Sequence, residues 1–290
     1  MPTVRTNDIE TYYERRGDGP AIVFVHGSIV DSGMWADQVA ALRGDFTTVV
    51  YDVRGHGRTG GSSRDRYDVA LYASDLHELV TALGLERPIV CGHSMGGLVA
   101  QAYAVRYPDR LSGLVLVDTF APTIHTRSEW FLRRVAMNAF VPLVRVLGIE
   151  RLERLNVWVS ERVSTGASGD YEAVERLRED GPTITTPEFT KVIRSMSRAH
   201  EYPLDLETVT VPTLVIYGEQ ELGFVKRHAK EFAETLADCE VDVVPGAGHA
   251  SNLDDPEYFT AAVREFAARV SRRDDRAGPE AGDDAASAAG

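Results

Sequence analysis

One stretch, RPIVCGHSMGGLVAQ at residues 87–101, constrains the fold of this chain more than any other. Residues 88–91 form a short apolar run with β-branched members, which predicts a buried strand. A glycine-rich turn follows and leads into the apolar residues that begin a helix. A serine inside G-x-S-x-G, between a strand and a helix, is the sequence context of a nucleophile elbow.

The glycines of this turn have a physical reason, because a Cβ at Gly92 or Gly96 would collide with neighbouring backbone in so tight a turn. Ser94 is then predicted at the apex of the turn, with its hydroxyl exposed above the N-terminus of the helix. The amide of Met95 would point at a developing oxyanion. We therefore expect Ser94 to be a nucleophile, and a glycine-rich turn with an incidental serine is the alternative.

Composition and charge exclude several classes of function. The chain has 290 residues, 43% of them hydrophobic, and a net charge of −13, which disfavours nucleic acid and anionic membranes as partners. It contains no apolar run long enough to span a membrane, and its first residues lack the apolar core of a signal peptide, so a cytoplasmic protein is expected. Cys91 and Cys239 are predicted to be free thiols outside any metal-ligand spacing.

The core of the chain alternates buried strands with amphipathic helices. Strands are predicted at 4–6, 9–15, 21–25, 46–51, 88–91, 111–117, 212–217 and 240–244, and helices at 34–42, 67–83, 224–236 and 255–269. This alternation predicts an α/β fold with a mostly parallel sheet and helices on both of its faces.

A helical segment interrupts this alternation. Residues 120–205 contain no clear strand pattern, and helices are predicted there at 127–147, 149–163, 171–179 and 187–199. We expect a helical lid at 120–205, inserted into a core formed by 1–119 and 206–271. Residues 272–290 are charged and rich in Ala and Gly, so a disordered tail is expected.

Four short motifs, in a fixed order, resemble those of the α/β-hydrolase family. They are His26-Gly27, the loop at 52–57, the turn at Ser94 and the GAGH sequence at 246–249. The resemblance covers about residues 9–270 and implies an eight-stranded sheet with a lid after the sixth strand. Within the family the chain is similar to lidded small-molecule hydrolases, namely carboxylesterases, 3-oxoadipate enol-lactonase-like enzymes and cofactor-free haloperoxidase-like esterases.

The resemblance implies a catalytic base, because the family places its histidine in the loop after the last strand. Here that residue is His249. The other histidines fit less well: His26 and His56 lie in loop motifs that hold backbone, His77 and His228 on predicted surface helices, His125 and His200 in the lid facing solvent, and His93 beside the elbow with its side chain expected to point away.

The acid that would orient the base has three candidates. The family usually has an Asp three residues beyond a glycine after the seventh strand, and this chain has Glu221 there. Asp118, at the end of the sixth strand, is an alternative that some members of the family use, and Glu219 is a third. The same resemblance implies that the backbone amides of Met95 and Ser28 form the oxyanion hole.

Together these features predict a serine hydrolase that cleaves a small or medium ester, lactone or related acyl compound through an acyl-enzyme on Ser94. A slow-turnover ligand receptor on a hydrolase scaffold and a hydrolase of C–C bonds are the alternatives. The mechanism needs no metal ion and no organic cofactor, and the sequence does not specify an oligomeric state. Candidate apolar walls of the substrate pocket, for which ordinary packing is the alternative role, are Trp35, Trp130, Phe131 and Phe224.

Overall fold

A computed structural model describes residues 1–148, 151 and 184–276. Within these residues, one sheet has eight strands in the spatial order β1-β2-β4-β3-β5-β6-β7-β8. The strands are β1 (Thr3–Thr6), β2 (Ile9–Arg16), β3 (Ala21–Val25), β4 (Thr47–Tyr51), β5 (Ile89–His93), β6 (Gly113–Val117), β7 (Thr213–Gly218) and β8 (Cys239–Val244).

The sheet is mostly parallel, as predicted. Its first two strands form an antiparallel hairpin through Asn7, and β2 pairs antiparallel with β4. Every later pairing is parallel, from β4 with β3 through to β7 with β8. The carboxyl ends of β3 and β5 to β8 therefore meet along one edge of the sheet, where α/β proteins place their sites.

Nine helices of the described residues surround this sheet. They are α1 (Ala36–Leu42), α2 (Val69–Ala82), α3 (Met95–Arg106), α4 (Arg127–Phe131), α5 (Met137–Leu147), α6 (Thr186–Ser197), α7 (Gly223–Thr235), α8 (Ser251–Asp254) and α9 (Pro256–Arg276). A π-helical turn at Leu132–Ala136 joins α4 to α5, so the helix predicted at 127–147 is continuous with one wide turn.

The helices bury the sheet on both faces, because each face of a parallel sheet carries apolar side chains. One face packs against α1 and α9, with Phe24 beneath Trp35 and Phe259. The other face packs against α2, α3 and α7, where Leu76 and Phe232 are fully buried. Helix α6 belongs to this second layer and contributes its own buried apolar side chains.

The segment between β6 and β7 contains helices α4, α5 and α6 within its described residues, together with one isolated bridge between His56 and Ile184. The helix predicted at 187–199 corresponds to α6. The helices predicted at 149–163 and 171–179 lie outside the described residues. The division into a core of 1–119 and 206–271 and a lid of 120–205 stays a prediction.

The end of the chain corrects one expectation. Helix α9 starts at Pro256 with Asp255 accepting from the amide of Tyr258 at 3.0 Å, and it continues to Arg276. The prediction of disorder from residue 272 is therefore wrong for 272–276. Ion pairs of Arg273 with Asp238 at 2.7 Å and of Arg87 with Asp274 at 2.6 Å hold these last turns against the core. Residues 277–290 lie outside the described part of the chain.

None of the described helices is both long enough and apolar enough to cross a membrane.

Candidate active site

Ser94 alone makes the turn between β5 and α3. Its φ of 51° and ψ of −112° lie in a region that side chains rarely occupy, as expected of a strained strand-to-helix turn. A Cβ at Gly92 would lie 2.3 Å from the carbonyl oxygen of Gly96, and a Cβ at Gly96 would lie 2.2 Å from that of Val25. The Ser94 amide donates to the carbonyl of Val117 on β6 at 2.8 Å. Close backbone approach therefore requires both glycines and presents the Ser94 hydroxyl at the edge of the sheet.

A chain of three side chains begins at this hydroxyl. Ser94 Oγ lies 3.1 Å from His249 Nε2, and His249 Nδ1 lies 2.6 Å from Glu221 Oε2. In the tautomer that fits these contacts, Nδ1–H donates to the carboxylate and Nε2 accepts from the serine hydroxyl. The Ser94 and Glu221 side chains are buried, whereas 38% of the His249 side chain is exposed. The imidazole is therefore the member of the three that is most open to solvent.

The loops that carry His249 and Glu221 are joined by their backbones. The backbone N–H of Gln220 donates to the carbonyl oxygen of Ala247 at 2.8 Å. A Cβ at Gly218 would lie 2.2 Å from the carbonyl oxygen of Gly248, so the residue at the end of β7 must be glycine. This close contact holds together the two loops that carry the carboxylate and the imidazole.

Glu219, the third candidate acid, accepts from the amide of Gly246 at 2.9 Å. The Glu219 carboxylate is exposed, and its contact stabilises the turn that leads to His249.

Asp118, the alternative acid, is fully buried and directs its carboxylate to other donors. Its Oδ1 accepts from the Gly218 amide at 2.9 Å, and its Oδ2 accepts from the amide and hydroxyl of Ser251 at 3.0 and 2.6 Å. Burial, with the nearby charge of Glu221, raises the pKa of Asp118 to about 8. Asp118 therefore ties the end of β7 to the helix that follows His249.

The electrostatics of His249 are set by opposing effects. Burial on its own lowers the pKa of an imidazole, but the adjacent charge and hydrogen bond of Glu221 outweigh it and raise the pKa of His249 to about 9. The carboxylate thus stabilises the protonated imidazole, which is the form that a histidine takes after accepting a proton from serine.

His93 is a functional neighbour that the sequence did not reveal. Its side chain was expected to point away from the elbow, but its Nε2 donates to the carbonyl oxygen of His249 at 2.7 Å. Burial, followed by the nearby His249, lowers the pKa of His93 to about 3, so its ring is neutral. His93 therefore anchors the backbone of the residue whose ring contacts Ser94.

The motif at His26-Gly27 holds the other side of the site. His26 Nδ1 donates to the carbonyl of Gly27 at 2.7 Å, and its Nε2 accepts from the amide of Val53 at 2.8 Å. A Cβ at Gly27 would lie 3.5 Å from the Cβ of Ser94 and 2.6 Å from Nδ1 of His93. The chain at Gly27-Ser28 therefore passes directly beside the serine, opposite the first turn of α3.

The loop at 52–57 is held by polar contacts with neighbouring segments. Asp52 accepts from the amide and hydroxyl of Ser32 and from the amide of Arg58. Arg54 forms a bidentate ion pair with Asp75 on α2 at 2.6 and 2.7 Å. None of these contacts involves Ser94, His249 or Glu221, so they hold the loop itself in place.

The candidate pocket walls differ in their surroundings. Trp35 is fully buried between Phe24 and Phe259 on the α1–α9 face of the sheet, so its assignment as a substrate-binding residue is wrong: an aromatic side chain there fills the core. Trp130 and Phe131 on α4 are 50% and 57% exposed. Phe224 is half-buried, and its ring centroid lies 5.7 Å from that of Phe120.

Two further expectations concern histidines outside the site. His228 was predicted on the surface of a helix, but it is fully buried on α7 because it bridges Glu129 and Glu231. His77, also predicted on a surface helix, is half-buried and stacks on Tyr107 with ring centroids 4.0 Å apart.

The two cysteines are free thiols, as expected. Cys91 is buried and Cys239 is half-buried.

Comparison with known proteins gives one family. A family model for the alpha/beta hydrolase fold matches residues 20–256. A putative carbamate hydrolase, RutD, from Caulobacter sp. (strain K31) is 30% identical over 261 residues, covering 88% of this chain and 94% of the relative.

Two solved structures are similar over nearly the whole chain. One is a thermophilic esterase from Thermogutta terrifontis, with 26% identity, a TM-score of 0.75 and coverage of 93% of this chain and 100% of that one. The other is the enol-lactonase from Burkholderia xenovorans LB400, with 27% identity, a TM-score of 0.73 and coverage of 91% and 99%.

Proposed function

The chain belongs to the α/β-hydrolase family, and from this premise we propose that it is a serine hydrolase acting through an acyl-enzyme on Ser94. The observation that carries the proposal is the continuous path from Ser94 Oγ to His249 Nε2 and from Nδ1 to Glu221. Serine is a weak nucleophile unless a base takes its proton, and this path supplies the base and a carboxylate that orients it.

The residues of the path have different roles. His249 takes the proton of the Ser94 hydroxyl as the oxygen attacks the substrate carbonyl, and then gives it to the leaving group. Glu221 holds the imidazole in the required tautomer and stabilises its charged form. Water, activated in the same way by His249, then hydrolyses the acyl-enzyme. We assign the role of orienting the imidazole to Glu221 rather than to Asp118, because the Asp118 carboxylate accepts hydrogen bonds from Gly218 and Ser251.

The oxyanion of the tetrahedral intermediate needs donors beside the serine. We assign them to the backbone amides of Met95, the first residue of α3, and Ser28, which follows Gly27. The support is local: Gly27 lies against the Cβ of Ser94, and α3 begins immediately after the nucleophile. A helix N-terminus adds a favourable dipole for the negative charge.

The substrate is a small or medium ester, lactone or related acyl compound. Its class is supported by the named activities of the similar proteins, which are an esterase, an enol-lactonase and a putative carbamate hydrolase. All three names denote cleavage of an acyl carbon from oxygen or nitrogen. We place the walls of the acyl pocket in the segment after β6 and on α7, with Trp130 and Phe131 from the former and Phe224 from the latter.

The proposal is tested by covalent labelling and turnover. A fluorophosphonate probe should label the protein, and Ser94→Ala should abolish both the labelling and hydrolysis of p-nitrophenyl esters and lactones. Ser271→Ala, which changes a half-buried serine on α9, is the matched control and should be labelled like the parent. Labelling that survives Ser94→Ala would place the nucleophile elsewhere. Labelling without repeated turnover of any acyl substrate would favour a receptor over an enzyme.

A further inference from the structure

Two histidines and a glutamate meet outside the proposed active site, at the junction of the segment after β6 with helix α7. One potential ligand atom from each of His125, His228 and Glu231 lies within 4.8 Å of the other two. His228 and Glu231 are separated by three positions on α7 and so share one face of that helix. His125 comes from the loop that precedes α4.

The contacts among these three side chains already converge on a common point. Glu231 Oε2 lies 2.8 Å from His125 Nε2 and 2.7 Å from His228 Nδ1. Imidazole nitrogens and a carboxylate oxygen are the donors that Zn²⁺ and related transition-metal ions prefer. From this arrangement we propose that His125, His228 and Glu231 form a binding site for a divalent transition-metal ion of the zinc class.

An ion at this point requires the three side chains to adjust. Zinc binds nitrogen and carboxylate oxygen at about 2.0–2.2 Å, so tetrahedral ligand atoms are about 3.3 Å apart. The contacts of Glu231 with the two rings would each open by roughly half an ångström, and the ring nitrogens of His125 and His228, which lie within 4.8 Å of each other, would settle at the same spacing to hold the ion. The two rings and the carboxylate supply three ligands and leave the fourth position to water, an arrangement common at open zinc sites.

A second carboxylate orients one of the ligands. His228 Nε2 lies 2.8 Å from Glu129 Oε1, so the nitrogen that does not face the cluster donates to a carboxylate. Metal-bound histidines nearly always have such a partner, which fixes the tautomer and makes the ligating nitrogen more basic.

Glu129 is itself fixed by the surrounding protein. Arg133 Nη1 donates to Glu129 Oε1 at 3.1 Å, and the side chains of both residues are almost fully buried. Thr123 donates its hydroxyl to Glu231 at 2.9 Å, which places the ligating carboxylate from the other side. The site therefore has a built outer shell and is more than a surface cluster of polar groups.

An ion can reach the site from solvent. The His228 side chain is fully buried, but those of His125 and Glu231 are 38% and 21% exposed. The bound ion would link the loop before α4 to α7. Since α4 follows β6 and α7 follows β7, the metal would clamp the start of the proposed lid to the core.

The sequence could not show this site. Its ligands come from two segments that are 106 positions apart, with no short spacing of the kind by which metal motifs are recognised. From the sequence we expect no metal ligand set anywhere in the chain, and this proposal departs from that expectation. The proposed ion takes no part in the acyl-transfer mechanism.

The test is zinc titration of the untagged, chelator-treated full chain, followed by calorimetry and by metal analysis after dialysis. We expect one zinc ion per chain, and a Tm that rises by about 5 °C at a hundredfold excess over Kd. His125→Ala should remove this binding while the protein stays folded by circular dichroism, because the side chain is partly exposed. Glu231→Gln should weaken the binding at least tenfold, since it removes the charged ligand.

Two controls separate this site from the rest of the chain. His77→Ala removes a histidine that stacks on Tyr107 and should leave zinc binding unchanged. His249→Ala should also retain the zinc, because the proposed ligands do not include the active-site imidazole. The proposal is overturned if the parent binds no zinc, if His125→Ala binds it as tightly as the parent, or if the zinc is lost with His249→Ala.

Discussion

Glu221 Oε2 lies 2.6 Å from Nδ1 of His249, although the two residues are 28 positions apart in the chain. The contact depends on backbone: Gly218 has no Cβ, so the loops after β7 and β8 approach closely enough for a glutamate to reach the ring. Asp118, in the same region, directs its carboxylate to Gly218 at the end of β7 and to Ser251 on α8. The extra methylene of Glu221 is therefore accommodated by the position of its loop.

The first prediction concerns this carboxylate. Glu221→Gln should lower kcat by about 10⁴-fold, because the histidine loses the partner that selects its tautomer and stabilises its charge. Glu221→Asp should retain part of the activity, since the charge remains but the reach is shorter. Steady-state kinetics with a p-nitrophenyl ester measure both changes.

Asp118→Asn and Glu219→Gln are the controls for the Glu221 variants. Asp118→Asn should cost about 1–3 kcal/mol of unfolding free energy, because an amide replaces an acceptor of buried hydrogen bonds, and it should keep most of kcat. Glu219→Gln should be close to the parent in both unfolding free energy and kcat. A large loss of kcat with Asp118→Asn, combined with near-normal Glu221→Gln, would move the acid to the end of β6.

The second prediction concerns pH. His249 must be neutral to accept the serine proton, so kcat/KM should fall as the pH drops through the pKa of the free enzyme. Because Glu221 raises that pKa to about 9, the midpoint should lie above the usual 6.5 of a histidine. In Glu221→Gln the lowering effect of burial is no longer opposed by that charge, so the midpoint of the residual activity should move down. A midpoint that is equal in both proteins would contradict the coupling.

The third prediction concerns the elbow. Gly92→Ala and Gly96→Ala should each prevent labelling of Ser94, because the new methyl group would lie within 2.3 Å of a backbone oxygen. Gly44→Ala is the matched control, since a Cβ there meets nothing within 4 Å. Fluorophosphonate labelling and thermal unfolding of the three variants give the comparison, and normal labelling of Gly96→Ala would contradict the close approach.

The fourth prediction concerns His93. His93→Leu removes the donor to the His249 carbonyl and should lower kcat by about 10–100-fold, the cost of one lost buried hydrogen bond. KM should change little, because His93 contacts the loop of the base rather than the pocket. His77→Ala is the control for loss of a half-buried imidazole, and it should keep the parental kcat. A change confined to KM would assign His93 to substrate binding instead.

The fifth prediction separates core from pocket among the aromatic residues. Trp35→Ala should lower the unfolding free energy by about 3–5 kcal/mol, because it empties a fully buried site between Phe24 and Phe259. The Trp35→Ala variant should keep the parent's order of preference among acyl substrates. Trp130→Ala removes an exposed ring and should leave stability within about 0.5 kcal/mol. Denaturant unfolding and a series of esters with different acyl lengths distinguish the two effects.

The fold was largely predictable because its signals are local. Residues 21–25 and 114–117 are continuous apolar runs, which are typical of a strand covered on both faces. The position of Ser94 followed from glycines on either side of it, since a tight turn excludes side chains. Such features depend on residues only a few positions apart, so they can be predicted directly from the sequence.

Other features depend on residues far apart in the chain, and the sequence does not state them. His93 contacts a carbonyl 156 positions away, so adjacency to Ser94 indicated nothing about its partner. Trp35 is an aromatic residue near the motif at His26-Gly27, but only the packed sheet determines which face it covers. His228 follows a helical pattern that is compatible with the surface, and the two carboxylates that keep it buried lie on different helices.

The long segment between β6 and β7 has a consequence for the rate of folding. Ser94 and its elbow are encoded before this segment, whereas Glu221 and His249 are encoded after it. Leu114 on β6 pairs with Thr213 on β7, so this pairing must close a loop of about a hundred residues, a slow step in folding. In the proposed mechanism, a chain emerging from the ribosome therefore carries its serine without a base, and Ser94 becomes a nucleophile only when the last two strands have joined the sheet.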